Sequence, residues 1–252
     1  MGSTTGEQCK DQRESLDTLL RKIMENSTVK EARRTIQKFI EKLKSEEFSS
    51  AVNEALLPLA QRGWFVTPDM RLTAPLKMAK LIMRGDVYEV DQAMTCHFEG
   101  AMPHLIGHLQ KLFPQRRRLV DAAFMAHRLR LYDFSIPLLL AQADGVGNDI
   151  FGFSPYTRQD KNVTKLHDMV ETQIKPDGFM GKYWQLIYSL LPIHASPRDI
   201  EKFDDPLNRH EVLHGLRCDY GNQTNSCKAF SWLIYVASFK GQINMTMDSD
   251  AV

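Results

Sequence analysis

Apolar positions in this chain recur mostly at intervals of three and four residues, and no stretch alternates apolar with polar in the manner of a strand. That periodicity predicts an all-α protein. Between about Asp11 and Lys44 two runs, Leu16-Leu19-Leu20-Ile23 and Ile36-Phe39-Ile40-Leu43, keep helical spacing, with Asn26-Ser27-Thr28 as a break and cap between them. A short helix is expected from Ser50 to Gln61, stopped at Gly63. The block from Gly63 to Met70 reads as a turn, whose Trp64 and Phe65 either form an exposed recognition surface or close a core. Helices follow around Leu76–Arg84 and from Val87 toward Ile106, the latter interrupted at Pro103.

Pro114 with Arg116-Arg117-Arg118 marks a junction, so residues 1–115 are expected to form a helical N-terminal region and 116–240 a separate helical bundle, with 241–252 a flexible tail. The second part opens with a helix from about Arg117 to Arg130. Ser135 then reads as a cap with Pro137 in the first turn of a helix that runs to Gly145, and Gly145 to Pro155 as a glycine-rich loop. A weaker helical stretch through Val170 and a short apolar helix from Tyr183 to Leu191 precede Pro192. Asp205 as cap and Pro206 as first residue predict a helix reaching Arg217, and the last helix starts near Asn225-Ser226. That last helix is apolar nearly all round (Phe230, Trp232, Leu233, Ile234, Tyr235, Val236), so it must be covered on several sides.

Composition narrows the classes of function. Lys and Arg number 32 against 31 Asp and Glu, a net charge of +1, so contact with a polyanion must come from a local basic patch. The cysteines Cys9, Cys96, Cys218 and Cys227 lie far apart with no Cys-x-x-Cys pair, the usage of a reducing compartment. With polar, charged residues up to Leu20 and no apolar run long enough to cross a bilayer, a cytoplasmic protein without membrane contact is expected.

The densest polar cluster on any predicted helix is Asn208-Arg209-His210-Glu211-x-x-His214. It supports two chemistries. In the first, Arg209 grips phosphate oxygens and His214 moves protons, with Asn208 and His210 beside them. That is a sufficient kit for RNA cleavage without a metal or other cofactor, because the 2′-hydroxyl is the nucleophile. In the second, His210-Glu211-x-x-His214 is the zinc-protease pattern, but after Glu211 the chain has no further Glu, and after His214 no further His, to complete the ligand set. The plain alternative is surface decoration, with Arg209 paired to Asp205.

Arg209-His210-x-x-x-His214 resembles the signature of the HEPN superfamily: an Arg, a polar residue, then a His after four to six positions. The surrounding stretch, from Tyr132-x-x-Ser135-Ile136-Pro137 to Asp144-Gly145 and from Leu207 to Ala229, also resembles a branch of uncharacterised bacterial proteins akin to abortive-infection and toxin HEPN ribonucleases. The resemblance covers roughly Arg117 to Lys240. It implies a C-terminal bundle of four or five helices, an RNA substrate, a homodimer that brings two motifs together, and an antitoxin or sensor partner. It also allows a non-catalytic module that binds RNA or protein, since many such domains lack nuclease activity.

Around the motif, Gln142 and Asp144 are polar at the end of an apolar helix. They are expected either to support Arg209 and His214 or, in the case of Asp144, to cap that helix. Arg116, Arg117 and Arg118 are candidates for the RNA backbone, against the alternative of a solvated helix start. Cys96, His97, His104 and His108 lack the paired spacing of a zinc module. No metal site is expected.

Overall fold

The computed structural model describes residues 45–67, 70–71, 73–155, 160–174, 181–204 and 207–243, with residues 31, 34, 35, 37 and 41 besides. The protein is all-α: no strand occurs among the described residues. The two N-terminal runs and their Asn26-Ser27-Thr28 break lie almost wholly outside the described residues, as do Asp205, Pro206 and residues 244–252.

Helix α1 (Glu46–Gln61) places Glu46 and Glu47 in its first turn, where they face the positive helix end, and buries Val52, Ala55, Leu56, Leu59 and Ala60 at helical spacing. It ends before Gly63, whose φ of +83° is the left-handed region that glycine enters without strain. Trp64 and Phe65 then turn inward and are sealed in the core at 0% and 1% exposure. Of the two readings of this block, core closure is the one realised. Trp64 Nε1 donates to Asp91 Oδ1 at 2.6 Å, so the buried indole keeps its hydrogen bond.

Helix α2 (Ala74–Arg84) carries Pro75 in its first turn and closes on Gly85. Helix α3 (Val87–Leu112) passes straight through Pro103, contrary to the interruption expected there. Val90, Met94, Phe98, Met102, Leu105, Ile106 and Leu109 form one buried stripe down its length, and that packing outweighs the single backbone bond a proline removes. After α4 (Arg117–Arg128) the chain turns at Arg130 with φ +59° and enters α5 (Tyr132–Phe151).

Helix α5 departs from its sequence reading at both ends. Its cap is Leu131, not Ser135, and Pro137 is its sixth residue. The carbonyl that Pro137 leaves without a helical donor belongs to Asp133, and the Tyr220 hydroxyl reaches it at 3.4 Å. At the other end the helix continues through Gly145 and Gly147 to Phe151, because Val146, Ile150 and Phe151 prolong the buried face. The expected loop begins only at Gly152, with φ +74°.

A helix at Asp160–Met169 (α6), continued by a wider turn over Val170–Ile174, and the short α7 (Gly181–Gln185) follow. The motif helix α8 is only Arg209–Leu213, shorter than the helix expected to reach Arg217. Its cap is Asn208. Helix α9 (Gln223–Ala237) starts from Asn222, and every residue from Asn225 to Ala237 is buried. It packs against α5 and α3, while α4 and α8 flank α5. One hydrophobic cluster runs from Leu56 to Ile243, within the second of two compact units, which begins at Ser50. No boundary falls at residue 115, and Ile243, in the stretch expected to be a tail, belongs to the core.

Candidate functional site

Helix α8 presents the motif at the side of α5. Asn208, at 1% exposure, fixes it there. Its Oδ1 accepts from the Glu211 backbone N–H at 3.0 Å, and its Nδ2 donates to the carbonyls of Pro192 at 2.7 Å and Ala195 at 3.0 Å. Asn208 is therefore the anchor of the helix and is spent on the protein itself, leaving no amide to meet a substrate.

Arg209, the first helical residue, sends its guanidinium to Asp144 in the middle of α5. Nε lies 2.5 Å from Oδ1 and 2.6 Å from Oδ2, and a terminal nitrogen also meets Oδ2. This fork-on-carboxylate contact fixes the plane of the guanidinium while leaving it 24% exposed. Burial raises the Asp144 carboxyl above its ordinary pKa, against the opposing pull of Arg209. At the far end of α8, His214 is exposed and its ring stands 4.5 Å from that of His210, centroid to centroid. Arg209 and His210 thus share one short helix, capped by His214 at its end, that α5 braces through Asp144.

The other expected supporting residues are elsewhere. Gln142 is two positions from Asp144 and so points away from it around the helix; its Oε1 accepts from Arg116 at 3.3 Å. Arg116 also donates from Nε to Asp149 Oδ2 at 2.8 Å and lies across Gly145, where a Cβ would collide with its guanidinium. Hydrogen bonding to Arg116 holds the Asp149 carboxyl below its usual range. Arg116 is consequently a clasp between the start of α4 and α5, and of the three arginines expected at an RNA backbone only Arg117 and Arg118 are exposed. A cleft of about 470 Å³ lined by Thr164, Tyr188, His194 and Asp199 holds none of the motif residues.

A family model, a curated protein or a solved structure that matches this chain was not found in any of the three comparisons. What the site does must be read from its residues.

Among the described residues, the single group of three or more His, Cys, Asp or Glu side chains close enough to share an ion does not include His210 or His214. It is Glu99 on α3, His127 on α4 and Cys227 on α9. Glu99 Oε1 accepts from Gln223 Nε2 at 2.7 Å and stands 2.8 Å from His127 Nε2 and 3.8 Å from Cys227 Sγ. On the other side of the ring, His127 Nδ1 lies 2.8 Å from Ser226 Oγ, which in turn meets Ser135 Oγ at 3.0 Å. Burial alone would raise the Glu99 carboxyl, but the hydrogen bonds from Gln223 and His127 bring it below its usual value. Sequence reasoning passed over this cluster because its members come from three helices and share no local spacing. The signal that remained was a histidine on the apolar side of α4, in register with Val120 and Ala123.

Proposed function

We propose that the chain is a metal-independent endoribonuclease of the HEPN type, acting as a homodimer in a toxin or phage-defence role. The observation that carries this reading is the oriented Arg209 guanidinium at the start of a short helix whose C-terminal cap is the exposed His214. His214 takes the proton of the RNA 2′-hydroxyl as that oxygen attacks phosphorus, and a proton returns to the departing 5′-oxygen. His210, in ring contact, supports His214. Arg209 stabilises the charge that builds on the phosphorane oxygens. The product ends are a 2′,3′-cyclic phosphate and a 5′-hydroxyl. The resemblance to HEPN proteins supplies the second copy of the motif and the antitoxin or sensor partner.

A specific observation favours the alternative, a non-catalytic helical module: Arg209 already has a protein partner in Asp144 and so has a structural use. RNA cleavage by the purified protein separates the two. Arg209→Ala and His214→Ala are expected to lower the rate by about 10² to 10³, the usual cost of losing a transition-state partner. Glu211→Gln is expected to keep most of the activity, and EDTA to leave it unchanged. If wild type and His214→Ala are equally harmless when overexpressed and neither degrades RNA, the enzyme reading fails. Activity lost on chelation and in Glu211→Gln would instead support a zinc protease-like use of His210 and His214.

A further inference from the structure

We propose that Glu99, His127 and Cys227 are the protein ligands of a zinc site that clasps α9 to α3 and α4. Their donor atoms lie within 4.8 Å of one another, with Glu99 Oε1 2.8 Å from His127 Nε2 and 3.8 Å from Cys227 Sγ. Around a tetrahedral zinc with bonds of about 2.0 to 2.3 Å, neighbouring ligand atoms stand roughly 3.3 to 3.6 Å apart. Glu99 therefore needs to shift by less than about 1 Å to bring its two separations to those values. Glu99 has the freedom to do so, since its side chain is 38% exposed while His127 is sealed at 4%.

The donor set selects the metal. A thiolate with an imidazole and a carboxylate suits zinc, and the thiolate excludes the hard cations that prefer oxygen alone. The surrounding bonds prepare the ligands. Ser226 Oγ, 2.8 Å from His127 Nδ1, holds the ring from one side, and Nε2 faces Glu99 Oε1 at 2.8 Å on the other. In the metal-free chain a proton bridges the two atoms, and it leaves to solvent when zinc takes its place. Gln223 holds the carboxylate from the other side at 2.7 Å, and Ser135 backs Ser226 at 3.0 Å. Imidazole orientation by a hydroxyl and carboxylate orientation by an amide are the outer bonds that metal ligands ordinarily keep. The exposed side of Glu99 leaves the fourth position to water. On binding, the Cys227 thiol gives up its proton to solvent, and the network of side-chain bonds becomes three metal bonds.

This site is independent of Arg209 and His214, and cobalt tests it directly. The full-length protein, stripped with a chelator and dialysed, is titrated with cobalt(II) and then with zinc(II). One equivalent of cobalt is expected to give a thiolate-to-metal charge-transfer band in the near ultraviolet, which zinc displaces. Zinc is also expected to raise the melting midpoint by several degrees. Cys227→Ser should abolish the band, and Glu99→Gln should weaken cobalt binding at least tenfold. The double variant of His210→Ala and His214→Ala should bind as wild type does. No band in the folded wild type, a band that survives Cys227→Ser, a band lost in Cys96→Ser, or loss of binding with His210 and His214 each overturns the proposal. If Cys227→Ser does not fold, the Glu99→Gln titration decides, because that half-exposed side chain is replaceable without opening the core; unchanged affinity there overturns the site.

Discussion

Asp144 lies where burial and a guanidinium pull its carboxyl in opposite directions, and burial is the stronger. Its pKa in the folded chain is raised above the value near 3.9 of the unfolded chain, so the folded state holds more proton between those two values. By linkage, this group's contribution is most favourable below the unfolded pKa and is lost as pH rises through the folded one. Asp144→Asn is accordingly expected to flatten the fall in stability from about pH 4 upward, read as urea midpoints across pH 4 to 7. A midpoint slope equal to that of wild type would refute it. Asp144→Ala also strands the guanidinium and should cost about 1 to 3 kcal/mol, between the values for exposed and buried pairs. The partnership of Asp144 with Arg209 was one of the pairings open in the sequence, where the stretch around Asp144 and that around Arg209 carry the same resemblance. The other bonds of Arg209's neighbourhood were not legible: Asn208 looks like a substrate ligand until its amide is seen turned onto two carbonyls from the segment before it.

At the level of elements, the periodicity of apolar residues located most helices, and the errors gather at proline and glycine. Pro103 looks like a stop and Pro137 like a first-turn residue because each lacks a backbone donor, yet a buried stripe runs past the first and a tyrosine hydroxyl serves the carbonyl freed by the second. Gly145 looks like the start of a loop, but its missing side chain makes room for Arg116 against the helix. A distant guanidinium leaves no trace in local spacing. The double-mutant cycle of Gly145→Ala with Arg116→Ala isolates this contact. In the Arg116→Ala background the new methyl should stabilise by about 0.5 to 1 kcal/mol, the ordinary helix gain over glycine. In wild type the gain is expected to vanish or reverse, because the methyl expels Arg116 from Asp149 and Gln142. Equal effects in both backgrounds, measured by chemical denaturation, would mean the guanidinium is indifferent to the glycine.

At the scale of the molecule, no helix among the described residues is long and apolar enough to cross a membrane, and α9 is consumed by its own chain. The apolar excess of α9 therefore lends no support to a dimer. Among the apolar side chains left exposed, Met125 at 55%, Leu129 at 64%, Leu131 at 47% and Phe134 at 70% follow one another along the chain where α4 gives way to α5. An apolar group of this kind, left on the surface, is where a second copy would gain most by docking. Leu129→Asp with Phe134→Asp is expected to turn the proposed dimer into a monomer by light scattering, with the melting midpoint nearly unchanged. A wild type that is monomeric at micromolar concentration would remove both the dimer and any composite active cleft. The all-α class was plain in the sequence, whereas the extent of the compact unit was not. Pro114 and the arginines after it resemble a linker, yet Phe113 beside them is wholly buried and the core continues across.

The burial of α9 also sets an order of events during synthesis. Residues 50–222 leave the ribosome before the helix that fills the space beside α3 and α5 has been made. Until Gln223–Ala237 emerges, the inward faces of those two helices have only water or a chaperone against them, and the nascent chain is at its stickiest. The segment carrying Arg209 and His214 is translated just ahead of that closing helix. The scaffold around that segment is therefore among the last parts of the molecule to settle.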